Sequence, residues 1–404
     1  MAKTADRRTP PFYRVATIFA LSLAAIGGAG CKKKSVAVGG APAKALAISP
    51  AVAAYVTNNG SDTLSVFDRD GTNVETVTVD IDADAHEAPH HLAVDIRTKR
   101  VFVALAFPAG PTKKKDPHAG HGNGEDLGKL ATFDLDTFAL VRTRDVQENP
   151  GDVILTHVRD RVLVTHFDMK RAMNVAARGG ASPATMFADL TILSAANSER
   201  IVSRPLCVAP HGVVTTKDDK TAFVACYGSD ELAVVDIGTP ELAVARVPLG
   251  AMPGVPGVPR YGPYSATLTP DEARVVVADL EGQDLRVFDR SEKRFLERTV
   301  PLAAKAFMPA FVDGRTLIVP LQSPDGIARV DIDQGRVLSR ATYARDECIL
   351  PHVVRVAKDG RAYLVCEGDH RDHGSVLEID PVSLAAKRRW TVGVTPDGIA
   401  FGDD

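Results

Sequence analysis

The hydrophobic pattern of the chain consists of short runs in which apolar and polar residues alternate, separated by turns rich in glycine and aspartate. Tyr55 to Asp68 (YVTNNGSDTLSVFD) holds two such runs around one turn, a pattern typical of a β-hairpin. The same pattern returns at Phe223 to Asp236 and at Val276 to Asp289. A further short run precedes each hairpin, and another follows it. The pattern therefore predicts repeated units of four antiparallel β-strands.

Seven such units can be counted along the chain. The four looser copies are Val101 to Asp134, Arg161 to Leu193, Leu317 to Asp331 and Tyr363 to Asp380. Four-stranded units that repeat at about 40 to 50 residues are typical of propeller blades. The sequence therefore predicts an all-β fold, a seven-bladed β-propeller of four-stranded antiparallel blades, over residues 42–404.

Two segments have the sequence of an inner strand for the first blade. Pro42 to Ile48 has the right distance from the first hairpin, and Pro396 to Phe401 has the inner-strand sequence at the end of the chain. Pairing of the two termini closes a ring and removes its exposed strand edges. We therefore expect the C-terminal segment to complete blade one, although the sequence leaves both choices open.

The first hairpin resembles the YVTN family of β-propeller repeats, which is named for the tetrapeptide that stands here as Tyr55-Val56-Thr57-Asn58. Through its repeats the resemblance covers residues 42–404. It implies the propeller fold but no single function, because the family includes binding modules, surface proteins and relatives of propeller enzymes.

The N-terminus has the pattern of an export signal. Basic residues from Lys3 to Arg14 precede the uncharged apolar stretch Val15 to Gly30. This order is typical of a secretory signal peptide, and the stretch is shorter than the roughly 20 residues of a spanning helix. We predict a signal peptide at residues 1–30 and an exported protein of the cell envelope, either periplasmic or on the cell surface.

Cys31 directly follows this stretch and resembles the acylated cysteine of bacterial lipoproteins. The residues before it are small, but the leucine usual three positions before the cysteine is missing. We predict lipidation of Cys31, with ordinary cleavage or an uncleaved anchor as alternatives. Residues 31–41 would then be a flexible tether, and the membrane would be contacted only through the lipid.

Composition narrows the classes of partner. The formal net charge is −3, and 45% of the residues are hydrophobic. Near-neutral charge argues against nucleic acid as the main partner, because phosphate binding needs a basic surface. The hydrophobic fraction excludes disorder for most of the chain. No nucleophile elbow, phosphate-binding loop or dinucleotide fingerprint is present in the sequence.

The repeated proline dipeptide at the start of each inner strand points to a site at the axis. Equivalent positions of a ring face the same axial funnel, which we expect to be lined by His90, His211, Tyr264, His352 and Asp397. This face, the top, would carry ten of the eleven histidines, and only His157 belongs to the opposite face.

Three of the axial residues have the composition of a metal site. Blades seven, one and two are neighbours, so His352, Asp397 and His90 can converge. Two imidazoles and a carboxylate with an open position suit a transition metal such as copper, iron or zinc. The alternative is that the Pro-His dipeptide is a common form of the repeat, with each histidine hydrogen-bonded to the backbone.

Four cysteines remain after Cys31 and fall into two similar frames. Cys207 and Cys348 lie three residues before a Pro-His dipeptide, and Cys226 and Cys366 end the following second strands. We predict two disulfides, Cys207–Cys226 and Cys348–Cys366, each within one blade, as an oxidising compartment favours. Ligation of copper or zinc by these cysteines and the neighbouring histidines is the alternative. The sequence has no CxxCH motif for covalent haem.

Two functions of different classes follow. The first is a monomeric binding or scaffold protein that engages a protein or small ligand at the histidine-rich top face. The second is a metal-dependent enzyme, an oxidoreductase or lactonase-like hydrolase, with His211 or Tyr264 as proton donor. The first is favoured because no complete catalytic motif is present, although fold alone does not define function.

Overall fold

The computed structural model describes residues 45–108, 126–179 and 182–403. Within these ranges the chain forms a seven-bladed β-propeller of antiparallel sheets, as predicted. The predicted signal peptide (1–30), the tether (31–41) with Cys31, and the loop histidines His118 and His121 lie outside the described residues.

Each blade runs from an inner strand at the axis to an outer strand at the rim. From the axis outward, blade one has the strands Pro396–Phe401, Ala53–Asn58, Thr63–Asp68 and Val74–Thr78, and blade two has Pro89–Asp95, Arg100–Leu105, Lys129–Asp134 and Leu140–Asp145. In the same order, blade three has Pro150–Leu155, Arg161–His166, Phe187–Ser194 and Arg200–Val208. Blade four has Pro210–Thr215, Thr221–Cys226, Glu231–Asp236 and Val244–Pro248. Blade five has Pro263–Leu268, Arg274–Asp279, Asp284–Asp289 and an outer strand in two pieces, Arg294–Phe295 and Val300–Pro301; blade seven has Pro351–Val356, Ala362–Cys366, His373–Ile379 and Ala386–Val394.

The ring is closed by the C-terminal segment. Pro396–Phe401 pairs antiparallel with Ala53–Asn58, with Tyr55 opposite Ala400. The competing segment forms no strand over its described residues 45–48, and Ala47 donates its backbone N–H to Glu75 Oε1 at 2.8 Å. The closure that the sequence left open is therefore made by the C-terminus, so both ends of the propeller lie in blade one.

The hydrophobic core lies between the blades. All six residues of Ala53–Asn58 are buried, because neighbouring blades cover both faces of each sheet. Between blades seven and one, the Phe67 ring stacks on Trp390 with centroids 4.5 Å apart. Coverage of both faces explains why the second strands are rich in β-branched and aromatic residues.

Blade six departs from the predicted pattern. Its inner edge consists of two short pieces, Lys305–Ala306 and Ala310–Phe311, which precede Thr316–Gln322, Gly326–Asp331 and Arg336–Ala341. Pro309, predicted to begin the inner strand, lies between the two pieces. The reason is that Met308 pairs with blade seven instead: its N–H donates to the His352 carbonyl at 3.1 Å.

The insertion of blade three contains the helix α1, Met169–Ala177. The Asp168 carboxylate caps it by accepting the Arg171 N–H at 2.9 Å. Ala172 is buried against Phe167 and Val208 of the propeller. Among the described helices none is long and apolar enough to cross a membrane.

Both predicted disulfides are present, Cys207–Cys226 and Cys348–Cys366. Their placement within single blades was wrong for the first pair. Cys207 lies in the outer strand of blade three, which extends to Val208, and Cys226 ends the second strand of blade four. This disulfide therefore joins two blades, because the outer strand of blade three runs up to the start of the next inner strand.

Candidate functional site

A fixed turn begins most inner strands and positions the axial residues. The residue before the proline has positive φ at Ala88 (48°), Asn149 (52°), Ala209 (50°), Leu350 (52°) and Thr395 (51°). Its carbonyl accepts the N–H of the residue after the second strand, as Ala209 does from Tyr227 at 3.2 Å. A shift in strand register, typical of a β-bulge, follows the proline, and bulges redirect side chains. The turn and bulge therefore place the next two residues at the axis.

Threonine hydroxyls connect these bulges between neighbouring blades. Thr165 Oγ1 of blade three accepts the Asp152 N–H at 2.9 Å and donates to the His211 carbonyl of blade four at 2.6 Å. Thr57 of blade one makes the same connection, accepting the Gly398 N–H at 2.8 Å and donating to the His90 carbonyl. The backbones of His90 and His211 are thus each held by a threonine of the preceding blade.

Three histidines meet at the axis. His90, His91 and His211 each offer a ring nitrogen, and these three atoms lie within 4.8 Å of one another. The ring centroids are 4.6 Å apart for His90 and His91 and 5.6 Å apart from His211 to each of them. All three side chains are buried, with exposures of 3%, 4% and 0%. This set is a cluster of metal-ligand type.

In each of the three imidazole rings, Nδ1 contacts an oxygen atom of a neighbouring residue. His91 Nδ1 donates to Asp152 Oδ1 at 2.7 Å, and His211 Nδ1 donates to the Tyr264 carbonyl at 3.2 Å. His90 Nδ1 contacts the Asp397 carboxylate. An imidazole that donates from Nδ1 is left with its lone pair on Nε2 in the neutral form. Nε2 is therefore the atom of each ring that is suited to ligate a metal.

Asp397 and His352 form a second, charged part of the site. His352 Nδ1 lies 3.1 Å from Asp397 Oδ1 and 3.0 Å from Glu367 Oε1. His352 Nε2 lies 3.1 Å from the Tyr264 hydroxyl, so both ring nitrogens have neighbours. Glu367 continues to His370, whose Nε2 is 2.7 Å from Glu367 Oε2.

Burial and neighbouring charges shift the pKa values of His90 and His352 in opposite directions. Burial lowers the pKa of His90, and the attraction of Asp397 only partly offsets it, so His90 is neutral at pH 7. Burial acts the same way on His352, but Glu367 and Asp397 outweigh it and raise its pKa. Burial disfavours the charged form of Asp397, yet His90 and His352 hold its pKa well below the ordinary value.

Aromatic rings cover one side of the cluster. The Tyr264 ring stacks on His211 with centroids 3.8 Å apart. Phe167 packs edge-on against His211, and Phe307 packs edge-on against His352, each with centroids 5.1 Å apart. Burial raises the pKa of Tyr264 well above its usual range, and the nearby carboxylates add to the shift. Tyr264 therefore keeps its proton at neutral pH.

The structure brings together all five residues predicted to line the axis, His90, His211, Tyr264, His352 and Asp397. The predicted metal set of His90, His352 and Asp397 is contiguous, since Asp397 contacts both histidines. The three-imidazole cluster, however, contains His91 and His211 in place of His352 and Asp397.

Sequence reasoning missed His91, Asp152 and Glu367. A signal existed for the first two: His91 and Asp152 both stand two residues after the proline of their inner strands, in neighbouring blades. A hydrogen-bond donor and an acceptor at equivalent positions of adjacent blades indicate contact. Glu367 follows Cys366 at the end of a second strand, and nothing in that position marked it.

No protein-family model and no curated protein matches the chain. Solved structures share its fold. A putative 6-phosphogluconolactonase from Bacteroides fragilis is 13% identical, with TM-score 0.62 over 89% of this chain and 99% of that one. The periplasmic gluconolactonase PpgL of Pseudomonas aeruginosa is 18% identical, with TM-score 0.57 over 86% and 98%.

A third similar structure contains a bound molecule. The dihydro-heme d1 dehydrogenase NirN, in complex with DHE, is 15% identical, with TM-score 0.56 over 89% of this chain and 76% of that one. At these identities the likeness shows the propeller fold alone. The resemblance to YVTN repeats stays a prediction, and the site itself must support any function.

Proposed function

We propose that this protein is an exported β-propeller that binds a divalent transition-metal ion through His90, His91 and His211. The observation that carries the proposal is the convergence of three buried ring nitrogens within 4.8 Å of one another. Imidazole nitrogen is a preferred ligand of zinc and copper, and three protein ligands leave a fourth position for an exchangeable ligand.

The second shell supports this assignment. Histidine ligands usually donate their other ring N–H to a carboxylate or a carbonyl, which fixes the tautomer and the ring orientation. Asp152 accepts this hydrogen bond from His91, and the Tyr264 carbonyl accepts it from His211. Asp152 is held in turn, because its Oδ2 accepts the Val213 N–H at 3.0 Å. In this proposal Asp397 orients His90 and is not itself a ligand.

Export is the second part of the proposal. Disulfides persist in oxidising compartments such as the periplasm or the cell surface, and the two disulfides of the propeller agree with such a location. The basic and apolar N-terminal pattern points the same way. Lipidation at Cys31 remains part of the proposal and can be read from the mass of the mature protein.

The test is metal binding by the full-length protein, purified without affinity histidines, stripped with EDTA and titrated with Zn²⁺ or Cu²⁺ against a chromophoric chelator. We expect one equivalent to bind. His91→Gln and His211→Gln should each lower the affinity at least about tenfold, and Asp152→Asn about 10- to 100-fold.

The matched control is His166→Gln. His166 is a buried histidine of blade three whose Nδ1 bonds the Asp189 carbonyl at 2.9 Å, and it lies outside the cluster. Its substitution should leave the metal affinity unchanged. Equal affinity of the wild type and of the His91 and His211 variants would contradict the proposal.

A metal-dependent enzyme is the second candidate. The contact between the Tyr264 hydroxyl and His352, which continues to Glu367 and His370, favours it because such a chain can transfer protons. The raised pKa of Tyr264 argues against its role as an acid at neutral pH, so binding is the better-supported function. Under the binding proposal, Tyr264→Phe keeps the metal affinity, because His211 uses the Tyr264 carbonyl.

A further inference from the structure

A cavity of about 510 Å³ lies along the axis beside the histidine cluster. Residues of the inner strands line it, with His91 and Asp152 at the end nearer the cluster. The inner strands begin at their prolines near the cluster and end at Leu155 and Val356. His157 and Lys358, which follow those strand ends, are exposed lining residues. The cavity therefore extends from the cluster toward the face opposite the predicted top.

The charge of the cavity is mainly positive. Its lining includes Arg159, Arg355 and Lys358, whereas Asp152 is its one carboxylate-bearing residue. Both carboxylate oxygens of Asp152 already accept hydrogen bonds, because His91 donates to one oxygen and the Val213 N–H donates to the other. Asp152 is therefore not available to neutralise the cations at the other end of the cavity.

Among the described residues, Arg355 is the cation of this cavity for which no hydrogen bond or ion pair is seen. Arg159 donates to the Val94 carbonyl at 2.9 Å and lies 3.6 Å from the buried Asp95, and Lys358 contacts a backbone carbonyl. Within the part of the chain that the structure describes, the Arg355 guanidinium forms neither a hydrogen bond nor an ion pair. Its charge acts on Asp152 at the inner end of the cavity.

The walls around Arg355 combine apolar side chains with polar surface. Val153, Val214, Ala266 and Val354 line the cavity, together with the hydroxyl-bearing Thr267. Arg355 is exposed to solvent, and a concave site with apolar side chains beside it strengthens its attraction for an anion relative to a convex surface. The volume lies within the range of about 300 to 1,000 Å³ that is usual for small-molecule sites.

We infer that this axial cavity binds a small organic carboxylate, with its carboxylate on Arg355 and its apolar part against the inner-strand side chains. The planar guanidinium matches a carboxylate with two parallel hydrogen bonds. Such a ligand supplies an ion-pair partner for Arg355, and its apolar part contacts the apolar side chains that line the cavity. The proposed anchor of the carboxylate is Arg355 and not a histidine nitrogen, so binding does not depend on a metal, although His91 also lines the cavity.

The test uses the EDTA-treated full-length protein and hexanoate as the probe, with the dissociation constant measured by ligand-observed NMR. Hexanamide has the same shape without the charge and should bind at least about tenfold more weakly. Arg355→Gln should weaken hexanoate binding by a similar factor. Arg294→Gln, which removes an exposed arginine paired with Glu292 on blade five, should leave it unchanged.

Three results would overturn the inference: no saturable binding of hexanoate, equal binding of hexanamide, or equal binding by Arg355→Gln and the wild type. The comparison of hexanoate with hexanamide needs no variant, so it decides the matter even where Arg355→Gln fails to fold. His211→Gln should still bind hexanoate, which keeps this result distinguishable from the metal titration.

Discussion

At the scale of single residues, two aspartates support the histidine cluster from different blades. Asp152 bonds His91 and is itself bonded by the Val213 N–H, while Asp397 lies between His90 and His352. A buried carboxylate is costly unless it is paired and hydrogen-bonded. These pairings therefore explain how the axis holds buried carboxylates.

Glu87 is a second kind of buried carboxyl, placed just before the inner strand of blade two. It is fully buried, and its Oε1 accepts the N–H groups of Ile81 and Asp82 at 3.1 and 2.8 Å. Burial raises its pKa from 4.5 to about 7, with the charge of Asp62 adding to the effect. The folded protein therefore keeps this proton at pH values where the unfolded chain has lost it.

This difference predicts a pH dependence of stability. Since the folded state binds the proton more tightly, the contribution of Glu87 to the free energy of unfolding decreases as pH rises from about 4.5 to about 7. Glu87→Gln keeps an oxygen acceptor and should remove this decrease, so that the variant is more stable than the wild type above pH 7, by an amount on the order of 2 kcal/mol.

Urea unfolding of both proteins at pH 5 and pH 8 measures the effect, and other titrating groups cancel in the difference. Glu75→Gln is a suitable control, because Glu75 also accepts backbone N–H groups but lies nearer the surface. An identical difference between variant and wild type at both pH values would contradict the assignment.

At the scale of elements, the disulfides lock the segments that lead into two axial histidines. Cys207 lies three residues before Pro210 and joins the second strand of blade four, and Cys348 lies three residues before Pro351. His211 and His352 follow these prolines. Each disulfide therefore restrains a turn on which the site depends.

Removing the Cys207–Cys226 bond should cost about 3 kcal/mol of unfolding free energy, because its loop spans a sequence separation of 19. The variant Cys207→Ala with Cys226→Ala can be compared with the matched pair Cys348→Ala with Cys366→Ala in denaturant unfolding. We expect comparable losses. Four free thiols in the oxidised wild-type propeller would show that neither bond forms.

At the scale of the whole molecule, the C-terminal strand both closes the ring and supplies the site. Pro396–Phe401 completes blade one, and its second residue is Asp397. Strand edges left open by a missing inner strand are unsatisfied and prone to pair with other chains. The strand that closes the ring therefore also carries one carboxylate of the axial site.

Deletion of residues 396–404 should abolish cooperative thermal unfolding and promote association, because it exposes the edge of Ala53–Asn58. Asp397→Asn keeps the strand, so this variant should stay folded, without the association expected of the deletion variant, and should bind the metal more weakly. Circular dichroism and size-exclusion chromatography separate the two effects. A deletion variant that unfolds at the wild-type temperature would refute the role of this strand in closure.

Much of the fold follows from local patterns in the chain. Alternation of apolar and polar residues specifies strands, the turn residues separate them, and repetition of the unit specifies blades. The disulfide partners were also predictable, since their two frames have similar spacings of 19 and 18 residues. The split inner edge of blade six was not, because Met308 pairs with a strand of blade seven that is distant in sequence.

The sequence by itself determined the seven repeated strand units and the repeated prolines, five of which precede a histidine, a tyrosine or an aspartate, while the export signal stays a prediction. Only the tertiary structure decided which of those residues meet. His90, His91 and His211 converge and Asp152 holds His91 because bulges turn these side chains at the axis, where separate blades come together. Contacts across a closed ring depend on the packing of whole blades, and no local spacing in the chain encodes them.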